Sequence, residues 1–206
     1  GNLNVSVTYT LTDDNEVMID YEAKTDQPTV LNITAHPFFN LNGQGTGTIE
    51  NHLLQINADS YTPVDETLIP TGIVTVENTP FDFRKQKTIG QNINDANEQL
   101  KFGAGYDHNF VVNGQGMRSA GTAIGDKSGI AIETLTNQPG MQLYTGNWMQ
   151  GENTIKYGLK DNSREAFCLE TQHYPDSPNH PEFPSTILNP GEVFRSTTIY
   201  KFSAQG

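Results

Sequence analysis

The chain has 206 residues, a formal net charge of −12, and 19 glycines and 11 prolines among them. That length is enough to bury a real core, most simply as one domain over 1–206. The acidic balance excludes a basic face for nucleic acid or anionic membrane, and a single cysteine excludes both an intrachain disulfide and a Cys-based zinc cluster.

The chain begins Gly1-Asn2-Leu3, without an initiator Met, and runs at once into a strand pattern. We expect an N-terminal portion to be missing, together with any targeting information it carried. Val5, Val7, Tyr9 and Leu11 alternate with polar residues, and after Thr12–Glu16 the alternation resumes at Val17, Ile19, Tyr21 and Ala23. Period-two patterning about a polar turn predicts a hairpin with one buried face. Strands are predicted over Val30–Thr34, His52–Ala58 and Ile73–Val76. The last two are joined by the shaped connection Asp59–Gly72, which contains Val64-Asp65-Glu66-Thr67-Leu68-Ile69-Pro70. A short helix is expected around Asn92–Leu100, and strand again at Tyr106–Val112. Met117–Ile124 and Ile130–Leu135 flank Gly125–Gly129 as a second hairpin. Pro139–Trp148 reads as a strand ending on a polar and aromatic rim, 149–164 as loop, Phe167–Leu169 as a buried strand, and Phe194–Phe202 as a closing strand. Many strands broken by turns, with almost no helix, indicate an all-β sandwich or an open barrel. No run is apolar enough to span a membrane.

The residues suited to chemistry share one setting: a polar side chain at a strand end, beside aromatics, followed by a turn. His36 precedes Pro37-Phe38-Phe39-Asn40, Asp107 precedes His108-Asn109-Phe110, and Glu170 precedes Thr171-Gln172. Proton transfer near neutral pH favours a His working with a carboxyl group whose burial tunes it. The alternatives remain open at this point: a satisfied loop histidine, a turn-stabilising Asp, a strand-end Glu facing water. Gln142, Asn40 and Asn147 offer neutral donors and acceptors for hydroxyls, and nearby aromatics offer flat faces for the C–H side of a sugar ring. His173 and His180 lie in a proline-broken loop, a poor basis for a metal site.

Taken together, the stretches Thr34–Leu41, Val64–Gly72, Thr79–Arg84, Gly105–Phe110, Gln142–Asn147 and Leu169–Gln172 onward to Asn189–Glu192 resemble the aldose 1-epimerase (mutarotase) family, in the family's order. The resemblance implies a large antiparallel β-sandwich of the galactose mutarotase-like type, lacking the family's N-terminal strands. It also implies interconversion of the α and β anomers of an aldohexose. Glu170 would be the general base at the anomeric hydroxyl and His36 the general acid at the ring oxygen, on opposite edges of the sugar and on neighbouring strands. Asp107 and Gln142 would hold hydroxyls, assisted by Asn40 and Asn147. No cofactor or metal is implied. The implied partners are a small sugar and a separate N-terminal fragment or chain completing the fold, and the implied location is the cytoplasm. The family's front section, with a second histidine and a substrate-contacting arginine, has no counterpart here, which leaves a non-catalytic carbohydrate-binding module as the alternative. A sugar phosphate would need Arg84, Arg118, Arg164 or Arg195, which do not cluster in the sequence.

Overall fold

A computed structural model describes residues 1–204. In chain order the strands are β1 (Leu3–Leu11), β2 (Glu16–Thr25), β3 (Thr29–Val30), β4 (Leu53–Ile56), β5 (Ala58–Tyr61), β6 (Val74–Thr75) and β7 (Lys87–Thr88). They continue as β8 (Asp107–Val112), β9 (Arg118–Ile124), β10 (Ile130–Thr136), β11 (Gly140–Tyr144), β12 (Cys168–Gln172), β13 (Ile187–Leu188) and β14 (Phe194–Ala204). A seven-stranded sheet has the order β1-β2-β14-β10-β9-β4-β7, a five-stranded sheet the order β12-β11-β8-β5-β6, and β13 pairs with β3. Every pairing is antiparallel.

Alternation along these strands builds the sandwich. Leu54, Ile56, Ile132 and Tyr200 of the larger sheet and Phe110, Met141, Leu143 and Leu169 of the smaller are all buried in one apolar cluster, as in two sheets packed face to face. The helix is shorter and later than expected. It spans Glu98–Phe102, because the Asn97 side chain accepts from the N–H groups of Gln99 and Leu100 and so fixes its start.

Two strand expectations need correction. The hairpin does form, in register from Leu3↔Thr25 to Leu11↔Val17, and Ile19, Tyr21 and Ala23 of β2 are buried. The apolar residues of β1 are not: Leu3, Val5, Val7, Tyr9 and Leu11 are 41–79% exposed. As the outermost strand of its sheet, β1 has nothing among the described residues packed over it. The strand predicted over Val30–Thr34 stops at Val30. Beyond it the N–H of Leu31 bonds to Thr186, and the backbone runs on without a ladder toward His36.

Candidate active site

Strands β8, β11 and β12 lie side by side, and residues two apart share a face. Phe110, Met141, Leu143 and Leu169 point into the core, so Asp107, Asn109, Gln142, Tyr144, Cys168, Glu170 and Gln172 take the opposite face. The register places Asn109, Gln142 and Glu170 in one row across the three strands, and Asp107, Tyr144 and Cys168 in the next. A cleft of about 510 Å³ opens over these rows, and Asp107, Gln142 and Glu170 all line it.

His36 reaches this cleft from outside the sheet. Strand β12 is an edge strand, and just before it Phe167 exchanges both main-chain hydrogen bonds with Phe39, at 2.8 and 2.9 Å. Counting three residues from that bridge in opposite directions brings His36 opposite Glu170. The His36 Nε2 is 3.4 Å from Glu170 Oε1, the imidazole side chain 47% exposed and the carboxyl side chain 10%. The expected arrangement across opposite edges of a sugar is therefore corrected, since the two groups are neighbours. So is the expectation of neighbouring strands, because His36 lies in a segment with no strand assignment.

Burial sets the electrostatics. Loss of solvent, and secondly the charge of Asp107, push the Glu170 carboxyl up to about 7. Burial also raises Asp107, opposed by hydrogen bonds from Gln142 and Trp148 and by the charge of His36. The Gln142 amide donates to Asp107 Oδ1 at 2.8 Å. His108 faces the core instead. Burial pushes its pKa down to about 3, and its Nδ1 accepts the N–H of Asp107 at 3.1 Å, so it is a neutral packing residue. The ligand atoms of His36, Cys168 and Glu170 come within 4.8 Å of one another. Burial pushes both the thiol and the carboxyl up, so a cation here would have to displace protons from these two ligands.

The structure brings His36, Asp107, Gln142 and Glu170 together and leaves Asn40 and Asn147 out. The Asn40 amide donates to the carbonyls of Gly47 and Glu165, both at 2.9 Å. It lines a different cavity, of about 970 Å³, bordered by the 40–45 and 149–166 segments, which shares Phe38 with the cleft but neither His36 nor Glu170. Asn147 donates to the carbonyls of Gly103 and Tyr106 and accepts from Thr145. Both amides tie loops together, with both N–H donors of each given to backbone carbonyls. Sequence reasoning did not assign Phe38, Tyr144, Trp148 and Gln172 to the cleft, yet all four line it. Gln172 was missed because the strand was expected to end at Glu170; β12 instead continues to Gln172, two residues on and so on the same face. Phe38 and Trp148 are half exposed, at 53% and 50%, and the Phe38 ring lies 4.8 Å from that of His36.

An antiparallel β-sandwich carrying an adjacent imidazole and carboxyl in a cleft with exposed aromatics is of the galactose mutarotase-like class. A family model described as Aldose 1-epimerase matches residues 1–201, and the chain belongs to that family. It is 44% identical to galactose mutarotase of Mus musculus over 205 residues, covering 98% of this chain and 58% of the relative. It is 40% identical to aldose 1-epimerase of Escherichia coli K12 over 211 residues, covering 60% of that protein. Among solved structures, a GalM/aldose epimerase homologue from C. elegans superposes with a TM-score of 0.87 at 30% identity, covering 99% of this chain and 61% of that one. Galactose 1-epimerase from Lactobacillus acidophilus superposes with a TM-score of 0.84 at 31% identity, covering 100% and 58%. The chain thus spans about three-fifths of the length of these relatives.

Proposed function

We propose that this protein interconverts the α and β anomers of an aldohexose, galactose or glucose, by moving two protons. The observation that carries this reading is the His36–Glu170 pair: 3.4 Å apart, one group half exposed, the other buried and tuned to about 7. The anomeric oxygen and the ring oxygen are bonded to the same carbon, so neighbouring catalytic groups suit them. Glu170 takes the proton of the anomeric hydroxyl while His36 delivers one to the ring oxygen, and the C1–O5 bond opens. Rotation about C1–C2 and reclosure with the roles reversed yield the other anomer. Asp107 and Gln142 hold hydroxyls, while Phe38 and Trp148 offer faces to the ring's C–H side. A module that only binds sugar has no use for a carboxyl poised near neutrality, which favours catalysis over the binding-module alternative.

A phosphorylated sugar is disfavoured. Arg84 is held by Asp82, Arg164 by Glu50 and Arg195 by Glu22, and Arg118 is spent on backbone carbonyls, including those of Gly116 and Gln138. A further N-terminal section completing the sandwich is part of the same proposal, supported by the uncovered apolar face of β1. Polarimetry on freshly dissolved α-galactose and α-glucose tests the activity. A decay no faster than in buffer rejects it.

A further inference from the structure

The Val64–Gly72 segment takes no part in the proton transfers, yet it is tightly built. Val64 and Pro70 form a bridge, and Asp65 Oδ1 accepts the N–H groups of Thr67 at 2.8 Å and Ile69 at 3.1 Å. Gln99 clamps Val64, donating to its carbonyl at 2.8 Å and accepting its N–H at 2.7 Å. Leu68 is held at φ +66°, a left-handed conformation that branched side chains rarely adopt. Val64, Leu68 and Pro70 line a chamber of about 50 Å³ that contains Asn109 and shares Asp107 and Gln142 with the cleft.

Asn109 is 1% exposed, and neither its Nδ2 nor its Oδ1 has a partner among the described residues. The Oε1 of Gln142, directly across the β8–β11 pair, has none either. Buried polar groups are ordinarily paired, so an amide with both ends free inside a cavity points to a ligand. A free amide presents a donor and an acceptor side by side. A hydroxyl, which both donates and accepts, answers both. A carboxylate or phosphate answers only the donor and a cation only the acceptor, and Asp107 nearby opposes an anion. The volume suits one or two groups the size of a water molecule, each about 30 Å³.

We propose that this chamber is a specificity subsite for one sugar hydroxyl, the one on the ring edge opposite the anomeric carbon, and that Asn109 reads it. The inference rests on the mutarotase reading. With Glu170 and His36 at the anomeric and ring oxygens, the far edge of the pyranose lies along the row Glu170–Gln142–Asn109. Two strand spacings, roughly 10 Å, separate the ends of that row, enough for a pyranose hydrogen-bonded at both sides. The group seated beside Asn109 is the hydroxyl itself or a water bonded to it.

The test compares the natural-length protein with Asn109→Leu on galactose and its 2-deoxy, 3-deoxy and 4-deoxy analogues, measuring kcat/KM and, by NMR titration, affinity. The expected result is a loss of about tenfold or more on galactose and 2-deoxygalactose that disappears on the 3-deoxy or the 4-deoxy sugar. Discrimination by the parent enzyme against that same analogue separates the two sources: over about 100-fold for a directly held hydroxyl, under about tenfold for a bridging water. An equal loss on all four sugars overturns the subsite. Exchanging an unpaired buried amide for Leu should leave the melting temperature unchanged or higher. A lower one together with a uniform loss assigns Asn109 to packing. Should Asn109→Leu fail to fold, Asn109→Ser carries the same comparison. If the parent does not exchange anomers, the mutarotase reading falls, and the affinities alone then decide the subsite by the same criterion.

Discussion

The main-chain N–H groups of Phe39 and Phe167 each donate to the other's carbonyl, and this one exchange sets His36 against Glu170. Proline at position 39 removes one of the two donors. We expect Phe39→Pro to lower kcat for anomer exchange at least tenfold, with a smaller change in KM because Asp107 and Gln142 stay in place. Phe39→Leu keeps the backbone bonds and most of the packing against Phe167, Tyr200 and Phe202, and should stay within about threefold of the parent. Steady-state polarimetry on both variants decides the matter. Equal losses would remove the bridge from the account.

Glu170→Gln keeps the size of the side chain and abolishes the base. Acid–base catalysis is worth about 10²–10⁴-fold, so kcat should fall by that range. Sugar affinity, followed by NMR titration, should stay within a few-fold. Turnover near that of the parent would rule Glu170 out as the base.

The rate should follow the ionisation of Glu170. The base works as carboxylate, so kcat/KM should rise with pH and level off above about 7, rather than near the ordinary value of 4.5. The charge of Asp107 contributes to that elevation. Asp107→Asn should therefore shift the rising limb to lower pH while weakening sugar binding. A pH–rate profile of each enzyme, with an unmoved limb in the variant, would contradict the coupling.

The same shift has a consequence for stability. Glu170 binds its proton more tightly folded, at about 7, than unfolded, at 4.5, so the folded state holds the extra proton between those values. Its contribution to stability is complete below pH 4.5 and is lost as the pH rises through 7. The size is on the order of 3–4 kcal/mol, about 1.4 kcal/mol for each unit between 4.5 and 7. Glu170→Gln removes this loss, so the variant should melt higher than the parent at pH 8 and close to it at pH 4.5. Calorimetry at the two pH values checks the sign.

The apolar side of β1 should drive association when these 206 residues are prepared alone. Sedimentation should show oligomers or aggregates. Replacing Val7 and Tyr9 with Lys should shift the distribution toward monomer. A monomer with β1 unaltered would mean that this face needs no cover.

Much of this architecture was legible in the sequence, and the failures have physical causes. Strands were expected at Tyr106–Val112 and Pro139–Trp148 and form at Asp107–Val112 and Gly140–Tyr144. The expectation that Glu170 ends its strand was wrong: β12 runs through it from Cys168 to Gln172, because Thr171 and Gln172 also pair with β11 despite the prolines that follow. The alternation in Val5–Leu11 suggested a buried face, but periodicity records which side is apolar and says nothing of whether anything covers it. Asn40 and Asn147 looked like sugar ligands because an amide that ties a loop and one that binds a hydroxyl are the same residue type. Their backbone partners, Gly47 and Glu165 for one and Gly103 and Tyr106 for the other, lie too far along the chain to be inferred. The nearness of His36 to Glu170 depends on a pairing between segments more than 120 residues apart, a register that no local pattern encodes.

Cys168 is the only thiol among these 206 residues, and it lies fully buried on the same strand face as Glu170. Its alkylation by iodoacetamide is therefore a stopwatch for the opening of β12, needing no label and no engineered cysteine. A sugar that settles over Glu170 should slow that clock in proportion to its occupancy.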